Sequence, residues 1–314
     1  MGTAVLQTPL TFQEKLKFFL ALSRTPHGVI DMATPALAAL LCLGRFPSPA
    51  VTLIGLATVF AAYTAVYALN DLVDLHTDIE KVAAGGYDDN EVYLDGVLIR
   101  HPMAKGVLTP SAGLAWACGW SAIALLGAYW LNPVCLVLFL AGCLLEAIYC
   151  KLWRVTPLRT VINGIVKTLG ALAAVYAVNP DPPLLFLALL FLWLFFWEIG
   201  GQNIPNDWTD IEEDRRFNAQ TIPIRLGLRR AGILSLGTLV AALFLNLFVW
   251  WASPLPNHGP FLIAAVLVNG FLLLKPALAL AEGQERSDAM GLFNKASYYP
   301  LAMFALVLVC VLFQ

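Results

Sequence analysis

The sequence predicts an all-α membrane bundle of nine transmembrane helices, arranged as two four-helix halves plus one, with cytoplasmic cap loops. Three observations carry that reading. The 314 residues are 59% hydrophobic and only 13% charged, with mean hydropathy +0.74, whereas soluble domains carry about 25% charged residues. Nine apolar segments recur, each near the roughly 20 residues that cross a bilayer. A pattern N-D-x-x-D-x-x-x-D occurs twice, at Asn70–Asp78 and Asn206–Asp214, each time at the end of an apolar run. A net charge of -2 without a basic tract points away from nucleic acid, and no obligate protein partner is evident. Six scattered cysteines with no CxxC pair indicate neither zinc nor a disulfide framework.

Taken in order, residues 12–24 set Phe12, Leu16, Phe19 and Leu20 against Gln13, Glu14, Lys15 and Lys17. This is a short amphipathic helix, either lying on the membrane or serving as an ordinary lead-in. Residues 1–27 therefore form an N-terminal interfacial segment of a single domain spanning 1–314. No apolar run with a small-residue cleavage site occupies the first twenty residues, so no cleaved signal peptide is expected. Spans are predicted near 28–45, 50–70, 111–130, 133–150, 159–178, 183–204, 229–252, 259–281 and 295–313. Pro47 and Pro49, Asn132-Pro133, and the Pro-rich stretches 179–183 and 253–260 punctuate them.

Charge sets the orientation. Lysines and arginines gather before the first span and in alternate loops (Lys81, Arg100, Lys105; Lys151, Arg154, Arg159; Arg215 to Arg230; Arg286, Lys295), while the opposite loops hold only Arg45. The positive-inside rule then puts the N-terminus and both Asp clusters in the cytoplasm and the C-terminus outside. A bacterial inner membrane is the expected host.

Asp71, Asp74 and Asp78 fall at i, i+3 and i+7, as do Asp207, Asp210 and Asp214. In a helix each trio lies on one face. Six carboxylates without a basic run beside them repel one another unless a cation sits between them. Oxygen ligands suit a hard ion, and Mg2+ takes one or two carboxylates plus phosphate oxygens. The motifs start 136 residues apart (Asn70 to Asn206), at the second and sixth spans. That spacing repeats every four helices and puts the site at the repeat interface.

Polar residues inside spans are costly and usually face an interior. Asn163 and Lys167 share a face with Arg159. Glu198, Gln202 and Asn206 descend towards Asp210 and Asp214 in steps of four, with Pro205 placed to bend the helix. Lys167 needs an anion or a carbonyl cluster. Glu198 is either its structural partner or a group that orients an acceptor hydroxyl. Asn163 and Gln202 serve either the site or helix–helix contact. Asn246, Asn269 and Lys275 read as packing and interface groups. His27, His76, His101 and His258 form no metal set by spacing. The aromatic run Phe191–Trp197 reads as packing or lipid-facing before cavity lining.

These features together resemble the UbiA superfamily of intramembrane prenyltransferases. Beyond the paired Asp motifs, Arg100-His-Pro102-Met-Ala-Lys105-Gly106 resembles its R-P-x-x-x-G loop. Thr221-Ile-Pro223-Ile-Arg225-Leu-Gly227 resembles its T-L-x-V-x-L-G stretch, and Asn294-Lys-Ala-Ser297-Tyr-Tyr299-Pro the start of its last helix. Tyr149-Cys-Lys151 is similar to a Y-x-x-K-type stretch. Two departures stand out. Residues 82–99 are inserted after the first motif, with a hairpin pattern around Leu94-Asp95-Gly96 suited to a lid. The Arg also falls one place early, with His101 directly before Pro102.

The resemblance implies Mg2+-dependent transfer of a prenyl group from a polyprenyl diphosphate to a small acceptor, an aromatic one by first expectation, in quinone or related lipid or pigment biosynthesis; quinone precursors, chlorins, haem and glycerophosphate backbones all stay open as acceptors. The candidate metal ligands are Asp71, Asp74, Asp78, Asp207, Asp210 and Asp214. Asp71, Asp74, Asp207, Asp210, Lys151 and Lys167 are the candidate catalytic residues. Asn70, Asn206, Arg100, Lys105, Arg154, Tyr149, Asn163, Glu198 and Gln202 are the candidate substrate contacts. A terpene cyclase of the same fold, and a membrane cation transporter, are the alternatives.

Overall fold

The computed structural model describes residues 11–85, 98–256 and 259–313. Among them nine helices are long and apolar enough to cross a membrane. An N-terminal helix α1 (Phe12–Leu22) precedes the spans α2 (Thr25–Leu43), α3 (Pro49–Ala83), α4 (Pro110–Leu131), α5 (Pro133–Lys151), α6 (Arg159–Val178) and α7 (Leu184–Thr209). Two short helices, α8 (Ile211–Arg216) and α9 (Ile222–Leu226), lead to α10 (Leu228–Ala252), α11 (Gly259–Gly283) and α12 (Arg286–Leu312).

Local chemistry explains the starts. Ser48 and Thr109 accept the N3 amides of α3 and α4, each followed by Pro at the first helical position. Asn132 ends α4 in extended conformation and accepts the Val134 amide at the head of α5. One Asn-Pro pair thus makes the hairpin between two spans. Thr11 and Glu14 form a reciprocal capping box on α1.

Two expected boundaries move. Hydropathy ends the second span near residue 70, but α3 continues to Ala83 over 35 residues. At 1.5 Å per residue it is about 52 Å long, against a hydrocarbon core of about 30 Å. After Gly55 no Gly or Pro follows until Gly85, at φ 73, so it carries its Asp residues beyond the apolar slab. Likewise α12 begins at Arg286 rather than near 295.

The second motif is not one continuous helix. A π-helical stretch, Glu198–Asn203, sits in α7 just before Pro205. The chain then breaks at Asp210 (φ -98, ψ 11) before α8. The first motif is thus carried by one unbroken helix, and the second by two helical pieces that meet at Asp210. The π turn widens where α10 comes closest. Ser235 Oγ donates to the Gly200 carbonyl at 2.6 Å, and a Cβ on Gly200 would stand 2.7 Å from the Ser235 carbonyl oxygen.

The main buried cluster joins α2 and α6 to the second half and α12, through residues such as Leu41, Val175, Trp193, Leu239, Trp250 and Tyr299. Trp193 donates to the Tyr299 hydroxyl, which donates to Asn269, and Asn269 in turn donates to Asn246. Asn246 and Asn269 are packing groups, as expected, and Trp193 belongs to the core. A smaller cluster of Leu22, Ala68, Met103, Leu108 and Ala117 ties α1 and the 98–109 loop onto α3 and α4. Phe19 stacks on Trp116, whose indole donates to Ser23, so one face of α1 is anchored in protein while Phe12 points outward. The hairpin expected within 91–99 lies outside the described residues, apart from Leu98 and Ile99.

Candidate active site

Several helices converge on one polar cavity of about 240 Å³, and α3, α6 and α7 carry most of its charged groups. All six motif carboxylates line it, α3 supplying Asp71, Asp74 and Asp78, and α7 with its continuation supplying Asp207, Asp210 and Asp214. Lys81 on α3 reaches Glu213 on α8 at 2.9 Å, bridging the two acidic segments across the mouth. Arg286 donates to the Thr209 carbonyl at 2.6 Å and closes the C-terminal end of α7.

The third helix, α6, contributes three rungs, because Arg159, Asn163 and Lys167 repeat every four residues on one face. On the first rung Arg159 meets Asp207 at 2.6 Å, both side chains buried, with the guanidinium 4.6 Å from the Tyr149 ring. On the second, Asn163 donates to Glu198 at 3.0 Å. On the third, Lys167 donates to Asp31 at 3.1 Å and to the Tyr67 hydroxyl at 2.9 Å, and Tyr67 donates to the same Asp31 oxygen at 2.5 Å. The anion that Lys167 requires is Asp31 on α2, while Glu198 pairs with Asn163. Asp31 went unread in the sequence, although a carboxylate inside an apolar span is the signal that would have found it.

Around the first motif, Asn70 donates to Glu146 at 2.7 Å, which places the buried Glu146 in the same wall. The 98–109 loop returns to this face and delivers His101. Its Nδ1 lies 2.8 Å from Asp78 and 3.2 Å from Asp71. Sequence spacing assigned no histidine to a metal set; in the structure Asp71, Asp78 and His101 converge with donor atoms close enough to share an ion. Only the folded loop reveals it. Burial opposes charge on His101, but the Asp71 and Asp78 carboxylates outweigh it and raise its pKa above the ordinary histidine value. Burial, then the nearby Asp207, holds the Asp214 carboxyl well above the ordinary carboxylate range.

The other candidates divide. Asn70, Tyr149, Asn163, Glu198, Asn206, Arg100 and Lys167 line the cavity, together with Arg24, His27 and Tyr67, which sequence reasoning left out. Gln202 also borders it, but its amide donates to the Phe293 carbonyl and accepts from Ser297 on α12, so it serves helix contact. Lys151, Arg154 and Lys105 are not among the lining residues. Lys151 donates to the Val73 carbonyl and Arg154 to Glu80, both at the exposed rim. The arginines that line the cavity are Arg24, Arg100 and Arg159.

A second cavity of about 330 Å³ opens beside the first among α2 to α6, with walls almost wholly apolar. Tyr67, Glu146 and Lys167 border both cavities. Polar head and greasy tail of one amphiphile would meet at these three side chains.

The site fits a hard divalent cation on its own terms. Asp207 Oδ1 is held by Arg159, while Asp207 Oδ2 and Arg159 Nε are buried without a hydrogen-bond partner. Leaving such atoms unmade costs about 1–3 kcal/mol each. A cation and an anionic ligand would satisfy them together.

A nine-span helical bundle with two facing acidic segments, over an apolar channel, defines an intramembrane prenyltransferase. The chain belongs to the UbiA prenyltransferase family, whose model matches residues 32–312. It is 24% identical over 233 residues to the digeranylgeranylglyceryl phosphate synthase of Thermococcus sibiricus, covering 73% of this chain and 77% of that one. Against the enzyme of the same name from Pyrococcus furiosus it is 25% identical over 247 residues (74% and 85%). Among solved structures, a UbiA homologue from Aeropyrum pernix in its apo form superposes with TM-score 0.69 at 20% identity, covering 90% and 97%. A homologue from Archaeoglobus fulgidus bound to DMAPP and Mg2+ superposes with TM-score 0.64 at 14% identity, covering 93% and 99%.

Proposed function

We propose that this membrane enzyme transfers a polyprenyl group from its diphosphate, in a Mg2+-dependent reaction, to the free hydroxyl of a prenylated glyceryl phosphate, with the site facing the cytoplasm. One observation carries the reaction class: both acidic segments line a single cavity, with Arg159 between them, beside an apolar channel. The archaeal relatives' shared name supports this acceptor over the aromatic one expected first from sequence. The DMAPP- and Mg2+-bound homologue supports donor class and metal. The positive-inside pattern supports the orientation. A transporter reading loses ground because all six carboxylates share one cavity.

Asp71, Asp74, Asp78, Asp207, Asp210 and Asp214 would hold the ions. Bound Mg2+ supplies positive charge that neutralises the departing diphosphate. The chain's own residues do the rest. Arg159, and Arg100 from the loop, hold diphosphate oxygens. The bond between prenyl C1 and the diphosphate oxygen breaks, and its electron pair stays on the diphosphate. Apolar walls exclude water from the resulting allylic cation. The acceptor oxygen then forms the new C–O bond, and its proton passes to the released diphosphate. Tyr67, Lys167 and Glu146, bordering both cavities, line the place where C1 would lie.

The test incubates the purified protein with geranylgeranyl diphosphate and Mg2+, adding geranylgeranylglyceryl phosphate, 4-hydroxybenzoate or no acceptor, with products read by mass spectrometry. Ether product with the glyceryl phosphate alone is expected. Product only with the aromatic acid would refute the acceptor, and a cyclised hydrocarbon without acceptor would mark a cyclase.

A further inference from the structure

We propose that His101 is a nitrogen ligand of the ion held by the first acidic segment, giving that ion a mixed oxygen and nitrogen set and a preference for Mn2+ over Mg2+. This rests on the metal-dependent reading above. Asp71 and Asp78 sit two turns apart on the same face of α3, which projects past the membrane. The 98–109 loop folds back over that face, pinned by Met103 and Leu108 in the small core. The His101 side chain is thereby left only 9% exposed, and its Nδ1 lies within reach of both carboxylates.

The spacing matches a coordination shell. Ligands about 2.1 Å from an octahedral ion stand about 3.0 Å apart at right angles. The separations from Nδ1 are 2.8 Å and 3.2 Å, and the three donor atoms all lie within 4.8 Å of one another. The family-like loop has Arg immediately before Pro, where this chain has His101. An Arg cannot ligate a cation; an imidazole can. Carboxylate-only sites suit Mg2+, and adding imidazole favours transition metals in the order of their affinity for nitrogen.

The readout is pulsed EPR of Mn2+ bound to the full-length detergent-solubilised protein, alone and with geranylgeranyl thiolodiphosphate. Directly ligated imidazole gives a nitrogen hyperfine coupling, which changes isotope when histidine is labelled with 15N. That coupling is expected in the wild type and absent from H101A. In competition titrations, H101A is expected to bind Mn2+ about ten-fold more weakly, with Mg2+ binding changed less than three-fold. If H101A does not fold, the variant H27A/H76A/H258A decides, since His101 is then the sole histidine: coupling retained supports the assignment, and coupling lost overturns it. Bound Mn2+ without nitrogen coupling, or coupling that survives H101A, overturns the ligand assignment alone. Failure to bind Mn2+ at all overturns both it and the metal-dependent reading.

Discussion

Replacing Arg159 with Met tests the energetics of the site directly. The guanidinium lies 2.6 Å from Asp207, with side chains 8% and 3% exposed, so screening by solvent is weak. Removing one partner of such a pair leaves a buried, uncompensated charge and costs about 3–5 kcal/mol. At about 2 °C per kcal/mol for a chain of this size, R159M is expected to melt about 6–10 °C below the wild type in chelator. Removing Asp207 as well takes away the stranded carboxylate. The double variant R159M/D207N is therefore expected to melt above R159M, with a coupling energy of about 1.5–3 kcal/mol. The assay is tryptophan fluorescence melting in detergent with EDTA, which keeps a metal ion from standing in for the arginine. An R159M that melts with the wild type, or a double variant no more stable than R159M, would refute the reasoning.

Three further outcomes are expected. D71A and D207A should each lower prenyl transfer by about 1,000-fold or more, equal to about 4 kcal/mol of lost transition-state stabilisation, with helicity unchanged by circular dichroism; a tenth of wild-type turnover in either would contradict the shared ion site. G200V should destabilise the fold by about 1–3 kcal/mol, because a Cβ there would meet the Ser235 carbonyl oxygen at 2.7 Å; a melting temperature within 1 °C of wild type would mean that α7 and α10 can separate freely. In a cysteine-free background, an impermeant thiol reagent should label R215C from the cytoplasmic side and D181C from the outside; labelling of both from one side would break the proposed topology.

The residues show why some of the site was readable in advance and some was not. Asp71, Asp74 and Asp78 were legible because a helix converts local spacing into a shared face. The second motif's carboxylates also line the cavity, but the π turn at Glu198–Asn203 and the break at Asp210 that shape their helix left no mark in the spacing. Lys167 announced a buried anion by lying inside a span, but nothing local named it. Its partner, Asp31, is 136 residues away, and α2 and α6 had to pack before the two could meet. Arg154 and Arg159 look equally basic in sequence. Only the helix start at Arg159 turns one into the cavity, while Arg154 remains at the rim.

Sequence alone determined the nine apolar segments, their alternation of charged and uncharged loops, and the doubled acidic motif. Each of these is a property of composition or of a period shorter than one span, and hydrophobic transfer and helical geometry act at that range. Tertiary structure decided how far α3 reaches beyond the membrane and which carboxylate answers Lys167. It also turned Gln202 towards α12 and set His101 between Asp71 and Asp78. Those are contacts between groups far apart in the chain, and packing rather than spacing selects them.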